Sequence, residues 1–176
     1  MRALAGLLVL AVGLLSGCEA VPLETTNPAA VPSGTLEARG ATADGPVVEL
    51  GTGSSAGIGW RYSIFESDDG WCTQLETQAV TSTHTACGET SPGEDGAFGF
   101  VTRNGTIVDG VVSADTATVW LVAEGGLRVT FATLMPLEDA GLEGQAFVGI
   151  TEAGTELTHV MAVKLNGEIL ETRELP

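Results

Sequence analysis

From Pro46 onward the chain breaks into short runs of alternating apolar and polar residues, interrupted by turn residues about every 8–12 positions. No other feature restricts the fold so tightly. A period of two places successive side chains on opposite faces of an extended strand, whereas a helix needs a period near 3.6. Strands are predicted over 47–52, 58–66, 71–80, 97–103, 106–113, 116–123, 127–134, 145–151, 157–165 and 168–174. Asn104-Gly105 and Asn166-Gly167 supply the positive φ angles of type I′ turns, and Gly125-Gly126 can do the same. The segment 135–144 has room for one helical turn and reads as a loop. The expected fold is all-β: an antiparallel β-sandwich, or a partly closed barrel, of about 8–10 short strands.

Alternation also sorts inside from outside. Ile58, Trp60, Tyr62 and Ile64 share one face and read as core, with Arg61 and Ser63 opposite. By the same pattern Leu127, Val129 and Phe131 oppose Arg128 and Thr130, while Met161, Val163 and Leu165 oppose Lys164. Trp71 and Leu75 oppose Cys72, Gln74, Glu76 and Gln78, and Phe98 and Phe100 suit packing. Trp120 shares its face with Thr116, Thr118 and Val122, which makes it the tryptophan expected to face a ligand, a carbohydrate in particular.

The first residues have a different character. Arg2 gives a short positive start, and residues 3–15 form an apolar run. A membrane-spanning helix needs about 20 such residues, so this run has the length of a signal-peptide core. It leads into Leu15-Ser16-Gly17-Cys18, which resembles the lipobox of bacterial lipoproteins at each position. The resemblance covers residues 1–18 and implies removal of a signal peptide over 1–17 and acylation of the Cys18 sulfur. Two or more acyl chains give stable anchoring where one gives only marginal binding. Residues 18–45 carry Pro22, Pro28 and Pro32 among small polar residues and read as a disordered, flexible tether. The sandwich domain is expected over 46–176. It resembles uncharacterised β-sandwich domains of other exported bacterial lipoproteins, a likeness that transfers no functional residue.

With Cys18 assigned to lipid, two of the three cysteines remain, Cys72 and Cys87. In an oxidising compartment they are expected to form a disulfide on the outer face or an edge, closing a loop worth ~3 kcal/mol. Two cysteines and two histidines, His84 and His159, are a poor set for structural zinc. The net charge of −16 argues against nucleic acid, whose phosphates demand Lys and Arg. It also disfavours adsorption to anionic lipid, leaving the anchoring to the acyl chains.

Several motifs point to chemistry only in a context the pattern does not supply. Gly51-x-Gly53-x-x-Ala56 matches a loose dinucleotide fingerprint, but strand sequence follows where a helix is required. Gly53-Ser54-Ser55-Ala56-Gly57 matches the nucleophile elbow, with Asp109, Asp115 and His159 following in order, and again no helix follows. The stretch Gly51–Gly59 reads as a hairpin turn. His159-x-Met161 places an imidazole and a thioether on one strand face, a start towards copper, but Met161 reads as core. Glu66-Ser67-Asp68-Asp69-Gly70 and Glu94-Asp95-Gly96 lack the spacing of a calcium loop and read as turns.

The chain is thus expected to be a non-catalytic, lipid-anchored binding or envelope-interaction module outside the cytoplasm. Its partners would be the membrane, through Cys18, and an envelope protein or glycan. No cofactor, metal, nucleotide or nucleic acid is expected. The alternatives are a small serine hydrolase using Ser55 and His159, and a copper- or carbohydrate-binding protein.

Overall fold

The structure, a computed structural model, describes residues 30–78, 83–91 and 96–175, with the backbone alone of Arg128 and Val129. These residues form twelve strands: β1 (Val48–Ser55), β2 (Ile58–Ser67), β3 (Gly70–Thr77), β4 (His84–Gly88), β5 (Phe98–Asn104) and β6 (Ile107–Val112). They continue with β7 (Thr118–Ala123), β8 (Arg128–Phe131), β9 (Thr133–Pro136), β10 (Gln145–Ile150), β11 (Leu157–Val163) and β12 (Ile169–Glu174). Two 3₁₀ turns, Glu124–Gly126 and Glu138–Ala140, are the helical segments among them.

The strands make three four-stranded sheets. Sheet I has the order β1-β2-β3-β4, sheet II β5-β6-β10-β9, and sheet III β12-β11-β7-β8. Every pairing is antiparallel. Each sheet keeps two edges, so the chain is an all-β sandwich and not a barrel. Sheet II lies in the middle. One of its faces packs Val111, Ala146, Val148 and Ile150 against Trp60, Tyr62, Ile64 and Leu75 of sheet I. The other packs Phe98, Val108, Val112 and Phe147 against Val119, Leu121, Val160 and Ala162 of sheet III. Close approach of the layers excludes a side chain at Gly149, where a Cβ would meet Leu121 Cδ1 at 2.5 Å. Glu171 of β12 joins sheets III and II by accepting from the backbone N–H groups of Ala97 (2.6 Å) and Phe98 (3.0 Å). Burial opposes its charge, but those two donors and Arg173 hold its carboxyl below the ordinary range.

The hairpins follow turn chemistry, with two changes of type. β1 and β2 are joined at Ala56-Gly57, with φ of 49° and 74°, the double positive φ of a type I′ turn. Between β5 and β6 the turn is Gly105-Thr106, with φ of +61° at Gly105. Asn104 stays in the strand, and a glycine alone at the first central position is the type II′ pattern, not the expected I′. Between β11 and β12 the loop is Leu165-Asn166-Gly167, closed by Gly167 N–H to Lys164 O (3.0 Å) and Lys164 N–H to Glu168 O (2.9 Å). Gly167, at φ 87°, ends a three-residue loop with a left-handed residue, again in place of a two-residue I′ turn.

Three expectations about faces and boundaries are corrected. The 127–134 run is two strands, because Ala132 turns the chain from sheet III to sheet II, its N–H bonded to Val119 O (2.9 Å). Phe131 and Leu127 point outward, 57% and 68% exposed, and Leu165 is 94% exposed at its hairpin tip. Met161 is only half buried; the core of β11 is made by Val160 and Ala162 instead.

Residues 30–44, expected within a tether, lie on the far face of sheet I. Arg61 donates to Gly34 O (3.0 Å), Gln74 donates to Glu37 O (2.9 Å), and Arg39 N–H donates to Gln74 Oε1 (2.7 Å). Asp44 N–H donates to Glu66 O (2.8 Å). This cover explains why Arg61, Ser63, Gln74 and Glu76 are buried despite facing away from the core. Residues 18–29 of the predicted tether, and Cys18 itself, lie outside the described residues.

Candidate functional site

The expected disulfide is present. Cys72 and Cys87 stand opposite each other across β3 and β4 and are bonded, with Cys72 buried and Cys87 exposed on the edge strand. Trp120 of β7 faces outward, half buried, where its ring stacks on Phe131 of β8 at 4.0 Å between centroids. Register puts Phe131, Trp120, Met161 and Thr172 in one row across sheet III. His159 and Glu174 pair in the next row, His159 Nε2 lying 3.8 Å from Glu174 Oε1. The outer face of sheet III is therefore an apolar, aromatic strip with a polar border.

The other predicted residues are kept apart. Ser55 ends β1 in sheet I, while His159 belongs to sheet III and engages Thr158 (2.9 Å) and Glu174. No hydrogen bond joins Ser55 to His159 among the described residues. His159 and Met161 do share a face, but Met135 is buried in the other core at 4% exposure and brings no third ligand. Among the described residues no three His, Cys, Asp or Glu side chains gather as a metal site. The acidic run at Asp68-Asp69 is the β2–β3 turn, while Glu94-Asp95 falls outside the described residues.

A second constellation was not singled out from the sequence. Asp109, on β6, is fully buried between sheets I and II. Its Oδ2 accepts from Tyr62 Oη of β2 (2.8 Å) and Thr73 Oγ1 of β3 (3.3 Å). Its Oδ1 accepts from Thr102 Oγ1 of β5 (2.9 Å) and lies 3.2 Å from His84 Nε2 of β4. His84 Nε2 also meets Thr102 Oγ1 at 2.7 Å. Five strands of two sheets thus converge on one carboxylate. Local structure supplies the aim: Asp109 stands opposite Thr102, and His84 opposite Leu75, which is itself opposite Tyr62.

Electrostatics binds the cluster together. Burial first, and then the Asp109 charge, push the Tyr62 phenol well above its usual range, so it remains a donor. The hydrogen bond with Asp109 raises the His84 pKa against the opposing effect of burial, and Asp109's charge adds to the rise. A raised folded-state pKa means that protonated His84 stabilises the fold. That contribution is complete below the unfolded value of about 6.5 and is lost as pH rises through the folded value. Melting temperature of the native chain should therefore fall between pH 6 and pH 9 more steeply than that of a His84→Gln variant. Parallel curves for the two proteins would rule out this linkage.

Above the cluster, a cleft of about 340 Å³ opens between β2, β3, β4 and the β5–β6 hairpin, with His84 in its wall. A charged residue inside Ile107-Val108-Asp109-Gly110-Val111-Val112 was the available signal, since that run is apolar on both faces. Comparison with protein-family models, curated proteins and solved structures found no match to this chain.

Proposed function

We propose that the chain is a non-catalytic binding module, held by lipid on Cys18 at a membrane surface outside the cytoplasm. Its ligand-facing surface is the outer face of sheet III around Trp120. The observation that carries this reading is the Trp120–Phe131 stack, an aromatic pair turned away from both cores with Phe131 57% exposed. An envelope glycan suits it: sugar rings lie flat on aromatic faces, and His159 and Glu174 border the strip with hydrogen-bonding groups. The Cys72–Cys87 disulfide supports an oxidising compartment. The non-catalytic part is supported by the separation of Ser55, on β1 of sheet I, from His159, on β11 of sheet III.

Docking of residues 30–44 also bears on reach. Twelve residue steps separate Cys18 from Ala30. They span at most about 40 Å, so the module works close to its membrane.

Sedimentation with purified peptidoglycan sacculi tests the surface. The native chain is expected to pellet, and a Trp120→Ala, Phe131→Ala variant to lose about tenfold in affinity, the equivalent of 1.4 kcal/mol. Equal pelleting of the two proteins, or none by either, would defeat the glycan reading. Cys18→Ser tests the anchor: it should abolish fatty-acid labelling and leave uncleaved precursor, and normal processing would defeat that part.

A further inference from the structure

The cleft beside His84 belongs to neither the aromatic strip nor the anchor, and its chemistry is specific. Its apolar wall is Ile58, Leu75 and Ile107, and its polar rim is Thr77, Asn104 and Thr106. A volume of about 340 Å³ lies at the small end of the range for small-molecule sites. Two further facts narrow the ligand. The chain has 23 acidic residues against 7 basic ones, yet none of the side chains lining this cleft is acidic. The one ionisable lining group is His84, whose Nε2 is committed to Asp109 and Thr102. Among the described residues Nδ1 has no hydrogen-bond partner.

We propose that this cleft binds a small aliphatic carboxylate, its chain against Ile58, Leu75 and Ile107 and its carboxylate accepting a hydrogen bond from His84 Nδ1–H. The arrangement works because Asp109 holds the imidazole by its inner nitrogen, which leaves the outer N–H as a donor. Charge-assisted N–H···O bonds of this kind are stronger than neutral ones. Thr77, Asn104 and Thr106 supply further donors for the second oxygen. An ammonium group would find no acidic partner there, and a neutral alcohol would forgo the charge-assisted bond. The groups facing the imidazole are Asp109 from β6, Thr102 from β5 and, through Asp109, Tyr62 from β2 and Thr73 from β3. Burial and the neighbouring Asp109 push the Tyr62 phenol well above its usual range, so it stays neutral, and His84 is the lining group that switches the site.

The test uses the full chain, with hexanoate and hexan-1-ol as probes and the His84 ring signals followed by NMR. Hexanoate is expected to give a saturable shift at pH 6, and to bind about tenfold more weakly at pH 9, where the donor proton is gone. Hexan-1-ol should bind about tenfold more weakly than hexanoate at pH 6. Thr106→Trp, which fills the cleft without touching Asp109, should remove the shift while leaving the His84 titration in place. Binding of hexanoate that is unchanged in Thr106→Trp, or equal to that of hexan-1-ol, would overturn the proposal. So would the absence of a saturable shift.

Discussion

Replacing Asp109 with alanine is expected to destabilise the fold by about 3–5 kcal/mol, the range for deleting one partner of a buried, hydrogen-bonded charge cluster. The carboxylate is the common acceptor for Tyr62, Thr73 and Thr102 and the counterion of His84. Without it the Tyr62 hydroxyl is left in a fully buried position, and each such orphaned donor costs about 1–3 kcal/mol. The surrounding hydroxyls can recover part of this by bonding to one another, which keeps the total below the simple sum. Urea unfolding with an unchanged m-value measures the loss, and thermal melting should show a drop of roughly 10–15 °C. Asp109→Asn should fall between the two, because it keeps an acceptor oxygen but removes the counterion of His84. The pH dependence of stability assigned to His84 should then vanish in Asp109→Asn while the fold persists. A loss under about 1 kcal/mol in Asp109→Ala would mean the cluster does not hold sheets I and II together.

Each of the ten predicted runs carries strand, with 127–134 divided into β8 and β9, because each has its own alternation or turn signal. β2 is the clearest: Trp60, Tyr62 and Ile64 are all buried, as the period of two requires. What local pattern cannot supply is the partner of each face. Met161 and Phe131 looked like core because they are apolar, yet β11 turns Val160 and Ala162 inward in place of Met161, and Phe131 of β8 is 57% exposed. The choice was made by sheet II, whose Phe98 and Phe147 need Val160 and Ala162 opposite. The strand β4 escaped notice because His84-Thr85-Ala86-Cys87-Gly88 has no apolar alternation; pairing to β3, reinforced at Cys72–Cys87, makes it a strand. Tertiary context outweighs weak local propensity there. The Asp109 cluster was hidden for a related reason, since its five members are scattered from Tyr62 to Asp109 and meet only after two sheets stack. The outward face of Trp120 was legible, because an aromatic residue sharing a face with Thr116 and Thr118 breaks the apolar pattern expected of core.

Substituting Glu76 with leucine should be nearly as damaging, at about 3–5 kcal/mol, although Glu76 touches neither core. Arg61 and Glu76 pair on the far face of sheet I, 7% exposed each, with Arg61 Nε donating to Glu76 Oε2 at 2.9 Å. The guanidinium reaches on to Gly34 O, and Glu76 Oε1 accepts from Gln74, which in turn holds Glu37 and Arg39. Removing Glu76 leaves the Arg61 guanidinium without its partner beneath the covering segment, where an unpaired cation is costly. The segment must then lift to let water in. The prediction is therefore double: lower stability, and rapid proteolysis within residues 30–44 that leaves the sandwich intact. Removing both charges gives the control, because an apolar pair of similar volume can match a buried ion pair. Arg61→Met with Glu76→Leu should recover at least half of the loss. If the double variant is no more stable than Glu76→Leu, the cost lies in the lost cover at Gly34 and Glu37 and not in the orphaned charge.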